Sequence, residues 1–349
     1  MRMTTLGRTG IHVSRLCLGT MMFGKGQNAD HADCVRIIHA ALDAGINFVD
    51  TADGYTLGES EEIVGKALRG RRDDVVVATK FFWPRPRPDG TLDANRRGAS
   101  RRWIIQAAEE SLVRLGTDHI DLYQQHRFDP DTDPEVSLSA LSDLVHQGKI
   151  RVIGSSAWPA ERIVEAQWAA ERRVLERYAC EQAPYSLLRR GIERAVLPTC
   201  RRYGMGVITY GPLDGGFLTG RYRRAEDFTP DARPVRMGAR WGGFDPEDAV
   251  NQRKLEIVAR LAALADSAGV PMAHLAQAWA MEHPDVSSVI IGPRTMEQFT
   301  DSVAAADLVL DRSLLDALDE VVPPGTDINL FDRSALPPEL DATYRRRHR

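Results

Sequence analysis

The stretch NFVDTADGYTLGESEEIVGK, residues 47–66, combines a short strand, a loop and the start of a helix. Its first residues are mainly apolar and end in Asp50, and glycines punctuate the loop that follows. A hydroxyl and two acids at 60–62 then precede an apolar run, which is typical of a helix start. The stretch therefore places a carboxylate, Asp50, at the end of a strand and a phenol, Tyr55, in the loop behind it.

Two later strand-like runs also end in residues that can carry chemistry. The next apolar run closes on Lys80, in a chain whose cations are mostly arginine, and a further run closes on His126. A single Asp, Tyr or His at such a place is usually structural. If the three strands are parallel neighbours, however, all four side chains lie at the carboxyl edge of one sheet, where barrel enzymes have their active sites. This coincidence favours a catalytic site made of Asp50, Tyr55, Lys80 and His126.

These residues resemble the motif of the aldo-keto reductase superfamily, which combines an Asp-Thr-Ala loop and a Tyr with a strand-end Lys and a Gln-His pair. Further similar segments occur in the order found in that family. They extend over residues 1–325: 6–10, 18–21, 126–132, 148–154, 184–188, 210–213 and 291–295. The sequence is therefore identified as a member of this superfamily, of the bacterial type.

Strand-like and helical patterns alternate along the chain, which favours parallel strands joined by helices. For example, the pattern predicts a helix over 192–203 and a strand over 206–210. Eight such units predict a single (β/α)8 TIM barrel in residues 1–325, and the resemblance implies an N-terminal β-hairpin in residues 1–15 and two extra helices. Residues 326–349 are predicted to form a polar C-terminal tail. A doubly wound dinucleotide fold is the main alternative, but the chain lacks its G-x-G-x-x-G fingerprint after the first strand.

The composition, with 43% hydrophobic and 27% charged residues among 349, is that of an ordinary globular protein. A net charge of -4 gives no basic surface for nucleic acid. No apolar run approaches the ~20 residues of a membrane span, and no signal segment is recognisable, so we expect a cytoplasmic protein. The histidines match no metal-binding motif. Buried, reduced thiols are expected at the four cysteines: Cys17, Cys34, Cys180 and Cys200.

The resemblance implies a nicotinamide cofactor that binds across the barrel mouth. At the strand ends of the second half, Ser156 and Gln182 would hydrogen-bond the carboxamide, and Tyr210 would stack on the ring. Ala157 stands where the family usually has Asn, so one carboxamide contact is expected to be lost. The same edge supplies further candidate cofactor residues: Ser155, Gly211 and Leu213.

A second candidate element of the cofactor site follows the last strand. Backbone N–H groups from Gly292 onward and the guanidinium of Arg294 together form an anion site that suits a 2′-phosphate. This favours NADPH over NADH. By resemblance, Gln298 lies near the adenosine, and Ser302 stands at an adenosine position where the family usually has Asn.

Reduction of a carbonyl needs a hydride at carbon and a proton at oxygen, and Tyr55 is the predicted proton donor. The pKa of a free phenol is about 10, and a neighbouring cation, Lys80, is expected to lower it. Asp50 would keep that lysine charged and oriented. A neutral His126 would position and polarise the carbonyl.

The substrate is predicted to be a small aldehyde or ketone. The run Phe81-Phe82-Trp83 directly follows the lysine, and Phe82 and Trp83 are candidates for an apolar wall of the substrate pocket. The loop 95–101 resembles one in bacterial-type members that act on aldehydes and keto sugars, so a keto sugar is one candidate. A long loop over 211–247 could close over the site with four residues: Arg236, Arg240, Trp241 and Phe244.

The expected function is thus NADPH-dependent reduction of an aldehyde or ketone to an alcohol, without a metal. Two alternatives stay open. One is an NADPH-binding regulatory subunit with little turnover, since some family members are channel partners. The other makes Lys80 the Schiff-base lysine of a barrel aldolase, although pairing with Asp50 would keep it charged and weakly nucleophilic. The sequence predicts no particular oligomeric state.

Overall fold

The chain begins with a short antiparallel hairpin, in which β1 (Met3–Thr5) pairs with β2 (His12–Ser14). The hairpin turn is closed by a hydrogen bond from Leu6 N to Ile11 O (2.8 Å). Leu6 and Val13 are fully buried against inward-facing side chains of the barrel. The predicted hairpin is therefore present, and its apolar side chains fill one end of the barrel.

Eight parallel strands close into a barrel, and they follow one another around it in the order of the chain. The computed structural model describes residues 1–87, 89–222, 225–229, 232, 235, 245 and 248–328. The last strand hydrogen-bonds with both the first and the seventh barrel strand, which closes the sheet and confirms the predicted (β/α)8 TIM barrel. The barrel strands are β3 (Leu16–Gly19), β4 (Phe48–Asp50), β5 (Val76–Phe81), β6 (Ile120–Gln125), β7 (Ile150–Ser156), β8 (Cys180–Pro184), β9 (Gly206–Tyr210) and β10 (Ser288–Ile291).

Helices follow the strands and cover the outside of the barrel. They are α1 (His31–Asp43), α2 (Glu59–Ala67), α3 (Arg101–Leu115), α4 (Pro134–His146), α5 (Ala160–Arg173), α6 (Val196–Tyr203), α7 (Ala249–Ser267), α8 (Met272–Glu282), α9 (Met296–Ala304) and α10 (Arg312–Val321). Side-chain caps fix several helix starts; Asp30, for example, accepts hydrogen bonds from the backbone N of Ala32 and of Asp33. Helices α7 and α10 exceed one helix per strand and pack together, which confirms that the barrel has two extra helices. The helix pattern favoured 272–283 or 312–321 as an extra helix, and the structure has α7 (Ala249–Ser267) in that role together with α10.

One helix is shorter than its sequence pattern predicts. The pattern favours a helix over 192–203, but α6 begins only at Val196, after a 3-10 turn at Gly191–Arg194. The backbone leaves the helical region at Ala195, with φ −140° and ψ −44°. Pro198 accounts for the break, because a proline has no N–H and is tolerated only in the first turn of a helix.

Side chains alternate between the inside and the outside of the barrel along each strand. The inside holds an apolar cluster that includes Phe48 and Ala78. Two residues further along the same strands, the inward side chains are Asp50 and Lys80, both buried. The outward side chains pack on the helices in a larger hydrophobic core. Polar groups therefore collect at the carboxyl end of the barrel, above an apolar interior.

Beyond α10 the chain returns to the loop that follows β8. Arg190 N donates to Thr326 O (2.8 Å), and Ile328 N donates to Leu188 O (3.2 Å). The first three residues of the predicted tail thus lie against the barrel. None of the helices in the described part of the chain is both long and apolar enough to cross a bilayer. Outside the described residues lie 329–349 and four loop residues singled out above: Arg236, Arg240, Trp241 and Phe244.

Candidate active site

Lys80 is the centre of the candidate active site. Its ammonium is fully buried and donates to Asp50 Oδ1 (2.6 Å), Thr51 O (2.8 Å) and Tyr55 Oη (3.1 Å). An ammonium has three protons to donate, so each has a partner. The structure thus brings the predicted carboxylate, lysine and phenol together around one nitrogen.

The backbone after β4 positions these groups. Thr51 N donates to Ala78 O (2.8 Å) and Asp53 N donates to Lys80 O (3.1 Å), so the loop continues alongside β5. Strand pairing therefore extends past the last residue of β4. Because both chain segments are tied residue by residue, the distance between the carboxylate and the lysine is set by the sheet itself.

A strained turn presents Tyr55. The next three residues have positive φ: 45° at Thr56, 56° at Leu57 and 93° at Gly58. Thr56 Oγ1 donates to Phe23 O (3.2 Å), which ties the turn to the loop after β3. Left-handed backbone is unfavourable for residues other than glycine, and such strain is concentrated at functional sites.

His126 continues β6 at the same edge. Its backbone N–H donates to Phe81 O (3.0 Å), and its ring meets that of Tyr55 edge-on, with the centroids 5.9 Å apart. The residue is only 7% exposed, and its Nδ1 is buried without a hydrogen-bond partner among the described residues. The imidazole is therefore placed beside the phenol.

Burial and neighbouring charges together set the pKa of each of these groups. Burial raises the pKa of Tyr55, and the Lys80 charge offsets this only in part. Burial lowers the pKa of Lys80, but Asp50 and Tyr55 outweigh it, so that the pKa is raised. Burial, with the charges of Lys80 and Arg127, holds the pKa of His126 well below its usual range. The expected lowering of the phenol pKa is thus more than cancelled, and the site combines a protonated phenol with an ammonium and a neutral imidazole.

Two glutamine amides hold the second oxygen of Asp50. Gln182 Nε2 donates to Asp50 Oδ2 (2.9 Å), and Gln124 Nε2 donates to the same oxygen (3.2 Å). Gln182 was expected only as a cofactor contact, and sequence reasoning missed Gln124. The available signal was its position two residues before His126, which puts both side chains on one face of β6.

Two of the predicted nicotinamide contacts, Ser156 and Tyr210, lie at the same edge of the barrel. Ser156 Oγ and Tyr210 Oη are buried atoms at the carboxyl ends of β7 and β9, and neither has a hydrogen-bond partner among the described residues. Ser155 does not join them. It faces the opposite side of β7, where its Oγ donates to Glu181 Oε2 (2.5 Å). The reason is strand alternation, which sends neighbouring side chains to opposite faces.

The turn after β7 is held by a buried carboxyl. Ala157 has φ 58°, and its backbone N donates to Gln182 O (2.8 Å). Trp158 N donates to Glu181 Oε1 (3.0 Å). Burial raises the pKa of Glu181 to about 8. Asn tolerates this left-handed backbone better than Ala does. This gives a conformational reason why the family resembled by the sequence usually has Asn where this chain has Ala157.

The outer cofactor candidates lie around the end of β10. Gly292 is exposed, and Arg294 is partly exposed with no ion pair to any described residue. Arg294 N donates to Gln298 Oε1 (2.8 Å), and Asn28 Nδ2 donates to Arg294 O (2.8 Å). Ser302 is buried on α9. The backbone N–H of Arg294 is therefore engaged within the loop, whereas its guanidinium has no ion pair among the described residues.

Gly211 and Leu213 form a turn directly after β9. Gly211 has φ 72° and accepts a hydrogen bond from Asp214 N (2.9 Å), and Leu213 packs partly buried on the core. The side chain of Asp214 forms ion pairs with Arg189 and with Lys254 Nζ, the latter at 2.7 Å. The turn is thus anchored to β8's loop and to α7.

Phe82 and Trp83 lie at the barrel mouth. Their rings meet edge-on with centroids 5.4 Å apart, and the Trp83 and His126 centroids are 5.9 Å apart. A Cβ added at Gly54 would lie 3.3 Å from Trp83, so a glycine there lets the ring approach the loop. Sequence reasoning missed Arg127, whose guanidinium carbon lies 5.7 Å from the Trp83 ring centroid. Its position next to His126 was the signal for it.

A second buried carboxyl lies behind the reactive loop. Asp53 is 1% exposed, and neither of its carboxyl oxygens has a hydrogen-bond partner among the described residues. Burial and the neighbouring Glu61 raise its pKa to about 8, although Arg85 and Arg114 act in the opposite direction. Arg85 Nη1 donates to Asp53 O (2.7 Å) rather than to the carboxyl. A buried polar group without a partner costs stability.

The cysteines are remote from this chemistry. All four are buried and free, and burial raises the pKa of each thiol. Such thiols stay protonated and unreactive. Across the described ranges, no group of three or more His, Cys, Asp or Glu residues is placed to hold a metal ion.

Sequence similarity relates this chain to a known protein family and to several known proteins. A family model described as "Aldo/keto reductase family" matches residues 15–323. The chain is 40% identical over 334 residues to the "Uncharacterized oxidoreductase YrpG" of Bacillus subtilis (strain 168), an alignment that covers 93% of this chain and 97% of the relative.

Two further relatives carry different names. A "Putative aryl-alcohol dehydrogenase" of Schizosaccharomyces pombe is 34% identical over 350 residues, covering 91% of this chain and 95% of the relative. A "Probable voltage-gated potassium channel subunit beta" of Arabidopsis thaliana is 33% identical over 332 residues, covering 92% and 97%. The matches extend over nearly the whole length of these proteins. With the closed barrel, they show that this chain belongs to the aldo/keto reductase family.

Proposed function

We propose that the protein is an NADPH-dependent oxidoreductase that reduces an aldehyde or ketone to an alcohol, with Tyr55 as the proton donor. The observation that carries the proposal is the contact of Lys80 Nζ with both Asp50 Oδ1 (2.6 Å) and Tyr55 Oη (3.1 Å). This arrangement combines a proton donor with a cation that stabilises its conjugate base. Relatives named as oxidoreductases support the same reaction class.

Residues of this chain account for the proton transfer. Lys80 donates to Tyr55 Oη, so the phenol's own proton is left to donate to a carbonyl oxygen in the barrel mouth. As that proton leaves, the ammonium stabilises the phenolate. A neutral His126 donates to the same carbonyl oxygen and polarises the carbonyl. A bound reduced nicotinamide would supply the hydride.

Three features of the barrel edge fit such a cofactor. Ser156 Oγ is buried without a partner, and a carboxamide would satisfy it together with the amide oxygen of Gln182. Tyr210 presents a partly buried ring at the end of β9, which suits stacking. Arg294 has no ion pair within the described ranges, and a guanidinium suits a 2′-phosphate.

Fluorescence titration with NADPH and NADH tests the cofactor. We expect tight binding of NADPH, weaker binding of NADH, and at least a tenfold loss of NADPH affinity in Arg294→Ala with NADH affinity unchanged. Arg260→Ala is the control, because Arg260 is an exposed arginine of α7. Equal affinity for the two cofactors in the unaltered protein would refute the NADPH assignment.

Turnover of a carbonyl panel tests the reaction, and Tyr55→Phe tests the donor. The panel includes short aldehydes, aromatic aldehydes, quinones and keto sugars. We expect reduction of at least one class, and loss of that activity in Tyr55→Phe with NADPH affinity within a fewfold. Undiminished turnover in Tyr55→Phe would exclude Tyr55 as the donor.

The second candidate function is an NADPH-binding regulatory subunit with little turnover. It is favoured by one observation, the similarity over 92% of the chain to a protein named as a potassium channel subunit beta. One measurement, turnover of the carbonyl panel, distinguishes the two functions. Tight NADPH binding with no reduction of any compound in the panel would favour the subunit, whereas turnover that depends on Tyr55 favours the reductase.

A further inference from the structure

Arg127 places a positive charge at the mouth of the site. Its guanidinium carbon lies 5.7 Å from the Trp83 ring centroid, and that ring lies 5.9 Å from the ring of His126. One of its nitrogens, Nη1, donates to the backbone oxygen of His126 at 2.6 Å. The side chain is only partly buried. The cation is therefore fixed next to the catalytic imidazole while still reachable from solvent.

This charge has no carboxylate partner in the described part of the chain. No Asp or Glu oxygen there lies within 4.0 Å of its guanidinium nitrogens. The nearby carboxyls are engaged elsewhere. Asp50 is held by Lys80 and the two glutamines, and Glu181 accepts from Ser155 Oγ and Trp158 N. Of the five guanidinium N–H groups, one has a hydrogen-bond acceptor among the described residues, the backbone oxygen of His126.

We infer that the preferred substrates are carbonyl compounds that carry an anionic group, such as a carboxylate, near the reacting carbon, and that Arg127 binds this group. The inference rests on the proposed reductase function and narrows its substrate class. A guanidinium held over an aromatic ring and by a backbone oxygen is restricted in its motion, and its planar fork suits bidentate contact with a planar anion. Trp83 would cover the apolar part of the same substrate. Arg127 is thereby assigned as a specificity-determining residue.

Pairs of aldehydes that differ only in charge test the inference. We would measure kcat/KM for 3- and 4-formylbenzoate and for the neutral 3- and 4-formylbenzamides, with benzaldehyde as the reference. In the unaltered protein at low salt we expect the benzoate of at least one pair to exceed its benzamide on the order of tenfold. Added salt should reduce this ratio, because the pair is partly exposed and screened.

Variants at Arg127 separate charge recognition from structural support. Arg127→Gln should bring the ratio close to one, while Arg127→Lys should keep part of the preference. Any loss of the Nη1 bond to His126 would affect both members of a pair, so the ratio reports the charge alone. Arg69→Gln, an exposed arginine after α2, should leave the ratio unchanged.

The outcomes distinguish this inference from the function on which it rests. Reduction of benzaldehyde with a benzoate-to-benzamide ratio near one, or a ratio that Arg127→Gln leaves unchanged, would overturn the substrate class and leave the reductase intact. No reduction of these five aldehydes or of any other compound in the carbonyl panel would count against the reductase itself, and against this inference with it.

Discussion

Gln182 Nε2 donates to Asp50 Oδ2 over 2.9 Å, although 132 residues separate the two along the chain. The same oxygen accepts from Gln124 Nε2, so the carboxylate is bonded by Lys80 on one oxygen and by two neutral amides on the other. Gln182, which was expected only to contact the cofactor, thus donates directly to Asp50, the acid that orients Lys80. Pre-organised donors of this kind keep a buried charge in place without further reorganisation.

Replacing either glutamine by leucine should lower turnover. Each variant removes a hydrogen bond to a buried charge, which costs about 1.5 to 3 kcal/mol, so kcat should fall about tenfold or more. The two variants should differ in binding, because only Gln182 is proposed to contact the carboxamide. We expect NADPH affinity to fall in Gln182→Leu and to stay within about twofold in Gln124→Leu. Equal effects on NADPH affinity would argue against that role for Gln182.

Lys80→Met should destabilise the protein as well as inactivate it. The substitution leaves the buried Asp50 carboxylate without its ion-pair partner, which costs about 3 to 5 kcal/mol in the free energy of unfolding. Urea denaturation measures this loss. The double variant Lys80→Met with Asp50→Leu should recover most of the stability but none of the activity. A single variant as stable as the unaltered protein would show that the pair is not coupled.

Asp53→Asn should stabilise the protein in a pH-dependent way. The carboxyl has a pKa of about 8 in the folded protein and about 3.9 when unfolded, so the folded state binds more protons between these values. The contribution of a neutral Asp53 to the stability of the fold is therefore fully present below about pH 4 and is lost as the pH rises to about 8. At pH 7 we expect Asp53→Asn to be more stable by up to about 4 kcal/mol, with little difference at pH 4.

Urea denaturation from pH 4 to pH 8 checks this prediction. Asp73→Asn is the control, because Asp73 is exposed and its charge costs little to keep. The free energy of unfolding would be plotted against pH for Asp53→Asn and for the unaltered protein. Parallel curves over this range would show that Asp53 is ionised in the folded protein.

Ala157→Gly should raise the free energy of unfolding. The backbone at Ala157 has φ 58°, which costs an alanine about 1 kcal/mol relative to glycine. Ala195→Gly is a matched control, since Ala195 is exposed with φ −140° and should gain nothing. Ala157→Asn should share part of the gain and, if its amide reaches the carboxamide, tighten NADPH binding. No gain in Ala157→Gly would mean that the turn relaxes in solution.

Much of the fold could be read from local patterns. The strand at 206–210 has its predicted bounds, because a β-branched apolar run between glycines is too short for a buried helix and fits a buried strand. The helix predicted over 192–203 shows the limit of such patterns. The pattern extends across Pro198, but the ring cannot sit in a helix interior, so α6 begins at Val196.

The candidate site also has residues that the sequence could place and residues that it could not. Lys80 and His126 could be placed at strand ends from the sequence, since parallel strands joined by helices bring all their carboxyl ends to one edge. Ser155 could not be separated from Ser156 without knowing which face of β7 points inward. Gln124 and Arg127 have no motif of their own, and their partners lie on other segments of the chain.

Sequence alone was thus sufficient for the barrel, the order of its strands and the four groups at its mouth, because periodicity and strand ends are local properties. Three features required the folded structure: the amide bonds to Asp50, the direction in which the pKa of Tyr55 moves, and the lack of a carboxylate partner for Arg127 among the described residues. Each depends on burial and on distances between residues far apart in the chain, and neither quantity is encoded in any single stretch.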